Sequence, residues 1–172
     1  MNVLVVVDMQ NDFIDGVLGT PEAQSIVLNV KAKIEEYRQK GAVILFTRDT
    51  HEENYLQTQE GRKLPVRHCI HGTDGWQICE PLQPYVENVL DKPAFSSLKL
   101  PEWLADQPIE EGIELCGLCT DICVIVNALL LKTAFPEIPL RVDARCCAGI
   151  TPESHMQALA VMRMCQIEVI GE

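Results

Sequence analysis

Aliphatic runs alternate along the chain with segments whose apolar residues recur at helical spacing. The aliphatic runs are short and contain few polar residues, which is typical of strands that are covered on both faces. The segments between them place apolar residues three or four positions apart, as in amphipathic helices. The pattern predicts strands at 3–7, 42–47, 86–90, 113–118, 140–144 and 167–170, and helices at 21–40, 101–107, 121–135 and 152–164.

This alternation of strands and helices predicts an α/β fold. We expect a three-layer α/β/α sandwich built on a six-stranded, mainly parallel, doubly wound sheet. A chain of 172 residues is long enough for one domain with a sizeable core, so residues 1–172 are interpreted as a single domain. The segment 49–79 is long, polar and rich in Gly and His. It is predicted to be a functional excursion that binds a metal and the substrate.

Polar residues with chemical potential follow the predicted strands. Asp8 ends the first strand, Asp49 follows the second, Lys92 follows the third, and the segment 119–123 follows the fourth. In parallel sheets, ligands bind outside the carboxyl ends of the strands, so these residues are expected at one edge. A carboxylate at the border of an apolar core suits a general base. Two alternatives stay open: Asp8 as a turn residue that caps the following backbone, and Lys92 as a solvated surface lysine.

The segment GLCTDICV at 117–124 joins the fourth strand to a helix-like run. Thr120 or Asp121 is placed to cap that helix. With Thr120 as the cap, Cys123 occupies the first helical turn, where free N–H groups and the helix dipole favour an anion. We therefore expect its thiol to ionise more easily than usual, and the thiolate is the nucleophilic form. The residues predict a cysteine hydrolase of the amidase type.

Composition limits the kinds of binding partner that are expected and indicates the cellular compartment. The net charge of −11 argues against nucleic acids and anionic membranes as partners. No apolar run approaches the ~18 residues of a membrane span, and the first residues lack the pattern of a secretory signal, so a cytoplasmic location is expected. The eight cysteines are then expected to be reduced, with Cys116, Cys146 and Cys165 as apolar packing residues. Cys116 and Cys119 have the spacing of a zinc or redox pair, but a second pair is missing.

Four segments, in the expected order and over nearly the full chain, resemble the isochorismatase-like cysteine hydrolases, with nicotinamidase as the closest characterised activity. They are VVVDMQNDFIDG at 5–16, the Asp-x-His and His-Cys elements within 49–69, DKPAFSS at 91–97 and GLCTDICV at 117–124. DARCCAG at 143–149 resembles a later family segment. The resemblance implies an amide hydrolase that works through a thioester.

The resemblance also implies a catalytic triad of Asp8, Lys92 and Cys123. Asp8 would take the thiol proton and pass it to the departing amine or ammonia. Lys92 would hold Asp8 and stabilise the thiolate, and Cys123 would form the thioester. The backbone N–H groups of Cys119 and Cys123 would form the oxyanion hole, after a cis peptide bond between Leu118 and Cys119. Between the two cysteines, the T-D-x-C pattern of the family selects Cys123 as the nucleophile.

The resemblance also implies a metal site. Asp49 and His51 resemble the Asp-x-His of nicotinamidases, and His68 resembles their later histidine. Glu60 fits the fourth ligand best, and Glu53 is the weaker choice. Such a set suits a divalent metal, with zinc expected and iron or manganese as alternatives. In nicotinamidases the metal binds the pyridine nitrogen. His51 as a loop cap and His68 as a buried imidazole stay open as structural interpretations.

The sequence indicates the identity of the substrate less clearly than it indicates the type of reaction. Phe13 is the expected stacking residue, with Tyr55 and Trp76 as less favoured aromatic candidates. The residues at 64–67 are Leu-Pro-Val-Arg, where nicotinamidases often carry an aromatic residue before the later histidine. Arg67 could face an anionic substrate or simply solvent.

The expected reaction is the conversion of nicotinamide to nicotinate and ammonia. One alternative is hydrolysis of another small substrate such as an N-carbamoyl compound, and the other is a non-catalytic module that binds a small molecule or a metal. The resemblance implies a homodimer or homotetramer, for which the last two helices offer apolar residues.

Overall fold

A six-stranded, all-parallel sheet forms the centre of the computed structural model, which describes residues 2–172. The strands are β1 (Asn2–Val7), β2 (Val43–Asp49), β3 (Asn88–Lys92), β4 (Gly112–Leu118), β5 (Leu140–Ala148) and β6 (Glu168–Ile170). Their order across the sheet is β3-β2-β1-β4-β5-β6. The chain therefore winds outwards from β1 in one direction and from β4 in the other. Because crossovers are right-handed, the two halves place their helices on opposite faces of the sheet. The predicted α/β fold is confirmed.

Six α-helices connect the strands. They are α1 (Asn11–Ile14), α2 (Pro21–Gln39), α3 (Gln59–Lys63), α4 (Lys99–Ala105), α5 (Ile125–Ala134) and α6 (Pro152–Met164). Short 3₁₀ segments lie at Tyr55–Gln57 and Glu80–Tyr85, and a π-helical turn, Thr120–Val124, leads into α5. The sequence analysis did not place α1 or α3, because helices of about one turn carry too little periodicity to be recognised.

The core lies between β1 and the helices that cover it. The five aliphatic residues at 3–7 have no exposed surface, as expected for a central strand covered on both faces. Helix α2 begins at the Thr20 cap, whose hydroxyl accepts a hydrogen bond from the backbone N–H of Ala23 at 3.0 Å. Its buried face repeats every three or four residues, through Ala23, Ile26, Val30, Ile34 and Tyr37. The fold thus follows from patterns that are visible in the sequence.

The third strand differs from its predicted position. We predicted 86–90, whereas β3 is Asn88–Lys92. Its exposure alternates, because it is an edge strand that pairs only with β2. Arg48 and Asp91 are directly opposite in that pairing and form an ion pair of 2.7 Å, so charged residues extend the strand beyond the apolar run. As a result Lys92 is the last residue of the strand and lies opposite Asp49.

The predicted cap of the helix after β4 is wrong. Neither Thr120 nor Asp121 caps its own helix, since the turn starts after Cys119 without a side-chain cap. Both side chains instead bind the beginning of α6. Helix propensity rules treat a helix start in isolation, and here a neighbouring element competes for the same side chains.

Two expectations from composition bear on the fold. All eight cysteines are free thiols; Cys116 and Cys146 are buried, and Cys165 is partly exposed. Among residues 2–172, no helix has both the length and the apolar character to cross a membrane.

Candidate active site

Two carboxylates, an ammonium group and a thiol meet at the carboxyl edge of the sheet. Asp49 and Lys92 are the last residues of β2 and β3, and Asp8 directly follows β1. Cys123 lies in the π-helical turn that follows β4. The strands β1 and β4 are neighbours, and the chain leaves them in opposite directions. Such a point in an open α/β sheet opens a crevice in which ligands bind.

Asp8 and Lys92 form an ion pair that has no exposed surface. The Lys92 Nζ atom lies 2.6 Å from Asp8 Oδ2, and both residues are fully buried. The Thr47 hydroxyl donates a hydrogen bond to Asp8 Oδ1 at 2.6 Å. The carboxylate therefore does not cap the following backbone, and the lysine is not solvated. Both alternative interpretations of these residues are wrong.

The ammonium group of Lys92 has three further partners. Its Nζ atom lies 3.5 Å from Cys123 Sγ, 3.2 Å from Asp49 Oδ1 and 3.1 Å from the carbonyl oxygen of Ala94. Burial alone would lower the pKa of Lys92, but Asp8, Cys123 and Asp49 outweigh it and raise the pKa above its ordinary value. Lys92 is therefore a fixed positive charge beside the thiol.

The thiol of Cys123 does not ionise easily, contrary to the expectation from its position near a helix start. Burial and the negative charge of Asp8 raise its pKa, and Lys92 opposes them only in part. The pKa of Asp8 is raised as well, mainly by burial and against the effect of Lys92. Both side chains lie against the Lys92 ammonium group. A thiol and a carboxyl group of raised pKa are thus neighbours, which is the arrangement that a base-activated nucleophile requires.

The turn that carries Cys123 is shaped by its own backbone. The peptide bond between Leu118 and Cys119 is cis, as the family resemblance implied. The carbonyl oxygen of Cys119 accepts hydrogen bonds from the backbone N–H groups of Ile122 at 3.1 Å and Val124 at 3.0 Å. Cys119 and Cys123, the two predicted oxyanion-hole residues, both border the same cavity.

A second group of ligand-type side chains adjoins this triad. Asp49, His51, Glu60 and His68 each offer one atom, and these atoms lie within 4.8 Å of one another. His51 Nε2 is 3.0 Å from Asp49 Oδ2 and 3.6 Å from Glu60 Oε1, and His68 Nε2 is 3.6 Å from Asp49 Oδ2. Glu53, the weaker candidate, is exposed and forms an ion pair with Arg67 instead. The structure thus brings together the four residues that the sequence analysis favoured.

The donor set of this group fits a divalent metal ion. His51 Nε2 is buried and has no hydrogen-bond partner in the described part of the chain. The other ring nitrogen of His68, Nδ1, is 2.8 Å from the carbonyl oxygen of Val66, which orients Nε2 towards the group. Burial opposes ionisation of Asp49, but the His51 and His68 imidazoles and Lys92 outweigh it and lower its pKa. Two imidazoles with two carboxylates suit zinc, iron or manganese.

The sequence analysis did not identify Gln10 as a supporting residue, and it named Tyr55 only as a candidate to stack on the substrate. The buried Gln10 side chain donates hydrogen bonds to the carbonyl oxygens of Asp49 at 2.8 Å and Trp76 at 2.9 Å, and it accepts one from the Asp49 N–H at 2.7 Å. Tyr55 packs against both imidazoles, with ring centroids 4.6 Å from His51 and 5.0 Å from His68. A polar amide two positions after a strand-end aspartate is the signal that could have drawn attention to Gln10.

A cavity of about 230 Å³ opens in front of Cys123 and the ligand group. Its walls are Phe13, Leu18, Thr20, Ala23, Asp49, Glu60, Leu64, His68, Phe95, Leu118, Cys119, Ile122, Cys123, Gly149 and Ile150. Phe13 therefore borders the cavity, as does Phe95, which we did not predict. Tyr55 lies behind the imidazoles, and Trp76 packs against Arg48 at 3.7 Å, so neither borders it. Within the described part of the chain, the lining contains no lysine or arginine.

Comparisons with known proteins show which family and fold the chain resembles. A family model described as the isochorismatase domain matches residues 2–171. Nicotinamidase/pyrazinamidase of Mycobacterium tuberculosis is 24% identical, with 99% of this chain and 98% of that protein covered. The structure of pyrazinamidase of Pyrococcus horikoshii in complex with zinc is 28% identical, with a TM-score of 0.86 and 99% of each chain covered. N-carbamoylsarcosine amidase from Thermoplasma acidophilum is 29% identical, with a TM-score of 0.82 and 99% and 95% covered.

Proposed function

The chain belongs to the isochorismatase family, and on that premise we propose that it is a cysteine-dependent amidohydrolase that converts nicotinamide to nicotinate and ammonia. Its similarity to amide-hydrolysing relatives indicates that it is a hydrolase of amide bonds. The observation that carries the proposal is the buried Lys92 ammonium group, which contacts both the Asp8 carboxylate at 2.6 Å and the Cys123 sulfur at 3.5 Å. A binding module has no use for a buried base, cation and thiol in mutual contact.

The reaction begins with proton transfer from Cys123 to Asp8. The sulfur attacks the carbonyl carbon of the amide, so that a C–S bond forms and the carbonyl electrons move to the oxygen. The backbone N–H groups of Cys119 and Cys123 receive this oxyanion. Lys92 stabilises the thiolate before the attack, because its positive charge is held close to the sulfur and is not screened by water.

Breakdown of the tetrahedral intermediate releases the first product. The C–N bond breaks, and Asp8 returns its proton to the leaving nitrogen, which departs as ammonia. The acyl group stays on Cys123 as a thioester. Asp8 then takes a proton from a water molecule, whose oxygen attacks the thioester. The C–S bond breaks, and the thiolate of Cys123 recovers a proton as the acid leaves.

Asp49, His51, Glu60 and His68 would hold a divalent metal ion beside the cavity. The ion would supply a Lewis acid that binds a ring nitrogen of the substrate. Phe13 borders the same space, with its ring centroid 5.6 Å from that of His68, and it offers an aromatic surface to a planar ring. A substrate with a ring nitrogen and an amide would thus be oriented at both ends.

An N-carbamoyl amino acid is a less suitable substrate. Such a molecule carries a carboxylate, whereas the lining of the cavity, in the described part of the chain, contains no lysine or arginine to pair with it. Arg67, which could have received an anion, pairs with Glu53 and lies outside the lining. An uncharged amide is favoured because it loses no ionic hydration on entry.

The test is ammonia release from nicotinamide and from N-carbamoylsarcosine by purified protein, before and after treatment with a chelator. Cys123→Ala serves as the control for contaminating activity. Release from nicotinamide that needs Cys123 and falls on chelation supports the proposal. Release from N-carbamoylsarcosine alone would contradict the substrate, and activity that persists in Cys123→Ala would contradict the mechanism.

The proposal also covers the oligomeric state and the cellular location of the protein. A homodimer or homotetramer is proposed, with exposed apolar residues of α6 such as Met156, Val161 and Met164 available for an interface. Sedimentation of the purified protein gives its mass in solution, and a monomer would contradict this part. The cytoplasmic location and the single domain over residues 1–172 stay predictions.

A further inference from the structure

The nucleophile's turn, Thr120–Val124, is attached to α6 by its polar side chains. Thr120 is fully buried, and its Oγ1 atom lies 2.8 Å from Nδ1 of His155. Thr120 directly follows Cys119, one of the two residues whose N–H groups would form the oxyanion hole.

A second attachment reinforces the first. The Asp121 carboxylate accepts hydrogen bonds from the backbone N–H of Ile150, at 3.0 and 3.3 Å, and from the hydroxyl of Ser154. Ser154 is itself fixed, because it forms a capping box with Thr151 at the start of α6. We call these contacts, from Thr120 to His155 and from Asp121 to Ile150 and Ser154, the α6 clamp.

The α6 clamp acts on the turn that carries Cys123 and the two residues of the proposed oxyanion hole. Asp8 and Lys92 stand at the ends of β1 and β3 and are held by buried ionic contacts. The turn with Cys119 and Cys123 has no side-chain cap of its own. A displacement of about 1 Å in a catalytic group costs on the order of 10²-fold in rate, so the attachment of this turn has a large effect on the reaction.

We infer that His155 is a positioning residue, which through Thr120 holds the backbone N–H groups of Cys119 and Cys123 where the oxyanion forms. This inference rests on the proposed thioester mechanism. Burial lowers the pKa of His155 despite the opposing effects of Asp121 and Glu172. The imidazole is therefore neutral at pH 7, and Nδ1 can accept the hydroxyl hydrogen of Thr120.

The variants are chosen to remove or to keep one hydrogen bond. Thr120→Val has the shape of threonine without its hydroxyl, and Thr120→Ser keeps the hydroxyl. His155→Ala removes the ring, whereas His155→Asn keeps a polar atom at the position of Nδ1. Gln157→Ala, two residues further along α6 and exposed, is the matched control. Thermal unfolding of every variant establishes that it is folded at the assay temperature.

Two reactions of Cys123 separate positioning of the oxyanion hole from other effects. Addition to an aldehyde forms a C–S bond and turns the carbonyl oxygen into an oxyanion, without a leaving group. Alkylation by iodoacetamide forms a C–S bond and releases iodide, and no oxyanion develops. Protection of Cys123 from alkylation measures the aldehyde's affinity. Pyridine-3-carbaldehyde is the first probe, and propanal, which has no ring, is the second.

Thr120→Val and His155→Ala are expected to weaken aldehyde binding and to lower kcat by about tenfold or more, with KM and the alkylation rate within about twofold of wild type. Thr120→Ser and His155→Asn should recover most of the loss. The double variant should be no worse than either single variant, because both remove the same hydrogen bond.

Other results overturn the inference or the proposed function separately. Unchanged aldehyde binding in Thr120→Val, an equal fall in alkylation, or additive losses in the double variant would overturn the role of His155. Wild-type protein that binds propanal but neither binds pyridine-3-carbaldehyde nor hydrolyses nicotinamide would contradict the substrate alone, and propanal then decides the inference. A wild-type Cys123 that binds neither aldehyde would overturn both.

Discussion

Asp49 and Lys92 lie opposite one another at the ends of β2 and β3, with Asp49 Oδ1 3.2 Å from Lys92 Nζ. The other oxygen of Asp49 faces the imidazoles, 3.0 Å from His51 Nε2. One carboxylate therefore belongs both to the surroundings of the nucleophile and to the candidate metal group. This shared residue holds the candidate metal group and the proposed nucleophile at a fixed separation beside one cavity.

Loss of the nucleophile should abolish turnover without affecting the fold. Cys123→Ala is expected to lower kcat for nicotinamide by roughly 10⁴-fold or more, because no other group can carry the acyl intermediate. Cys165→Ala, at a partly exposed thiol outside the cavity, should keep full activity. Ammonia release and circular dichroism on both variants provide the measurement, and activity retained in Cys123→Ala would refute the assignment.

Neutralisation of the buried lysine should weaken the fold as well as the activity. Lys92→Met leaves the Asp8 and Asp49 carboxylates buried without their counter-ion, which is expected to lower the free energy of unfolding by about 3–5 kcal/mol. Urea denaturation measures the loss. Lys99→Met, at an exposed lysine in the first turn of α4, is the comparison and should change stability little. Equal stability of Lys92→Met and wild type would show that the ion pair contributes nothing to the native state.

The candidate metal group predicts that Glu60, and not Glu53, contributes to metal binding. Glu60→Gln should weaken zinc binding by about 100-fold or more, because even indirect supports of a ligand are worth 10–100-fold. Glu53→Gln should leave the affinity unchanged, since Glu53 pairs with Arg67 away from the group. Competition with a chromophoric chelator measures both. Equal affinities in the two variants would remove Glu60 from the ligand set.

Protonation of His155 is expected to lower the free energy of unfolding as the pH falls. The folded-state pKa of His155 lies below the ordinary value, chiefly because of burial. As the pH falls below about 6.5, His155 therefore binds a proton more readily in the unfolded chain than in the folded protein. The corresponding stability is complete above that pH and is lost as the pH falls towards the folded-state pKa. Wild type should therefore lose more stability than His155→Asn between about pH 7.5 and about pH 5. Parallel losses in urea titrations of the two proteins would contradict this.

Sequence patterns predicted the parts of the molecule that depend on local spacing. The aliphatic run before Asp8 predicted a central strand, and the parallel alternation correctly predicted that Asp8, Lys92 and Cys123 share one edge. The bounds of β3 were misplaced because its last residues are charged and paired with β2. Thr47 was not found, since a side-chain contact between neighbouring strands has no signature along a single strand, and the signal that Gln10 offered, its place two residues after Asp8, was not used. The thiol pKa was misjudged because burial and Asp8 outweigh the effect of a helix start.

The position of Lys92 on an outer strand has a consequence for the integrity of the sheet. An edge strand is normally the first part of a sheet to exchange its amide hydrogens and the part most exposed to pairing with a foreign chain. Here its final residue is bound ionically to Asp49 of the neighbouring strand and to Asp8 beyond it. The contact that we propose to activate the thiol therefore also joins the edge strand to its neighbours, which opposes fraying of the sheet at this margin and pairing with a foreign chain.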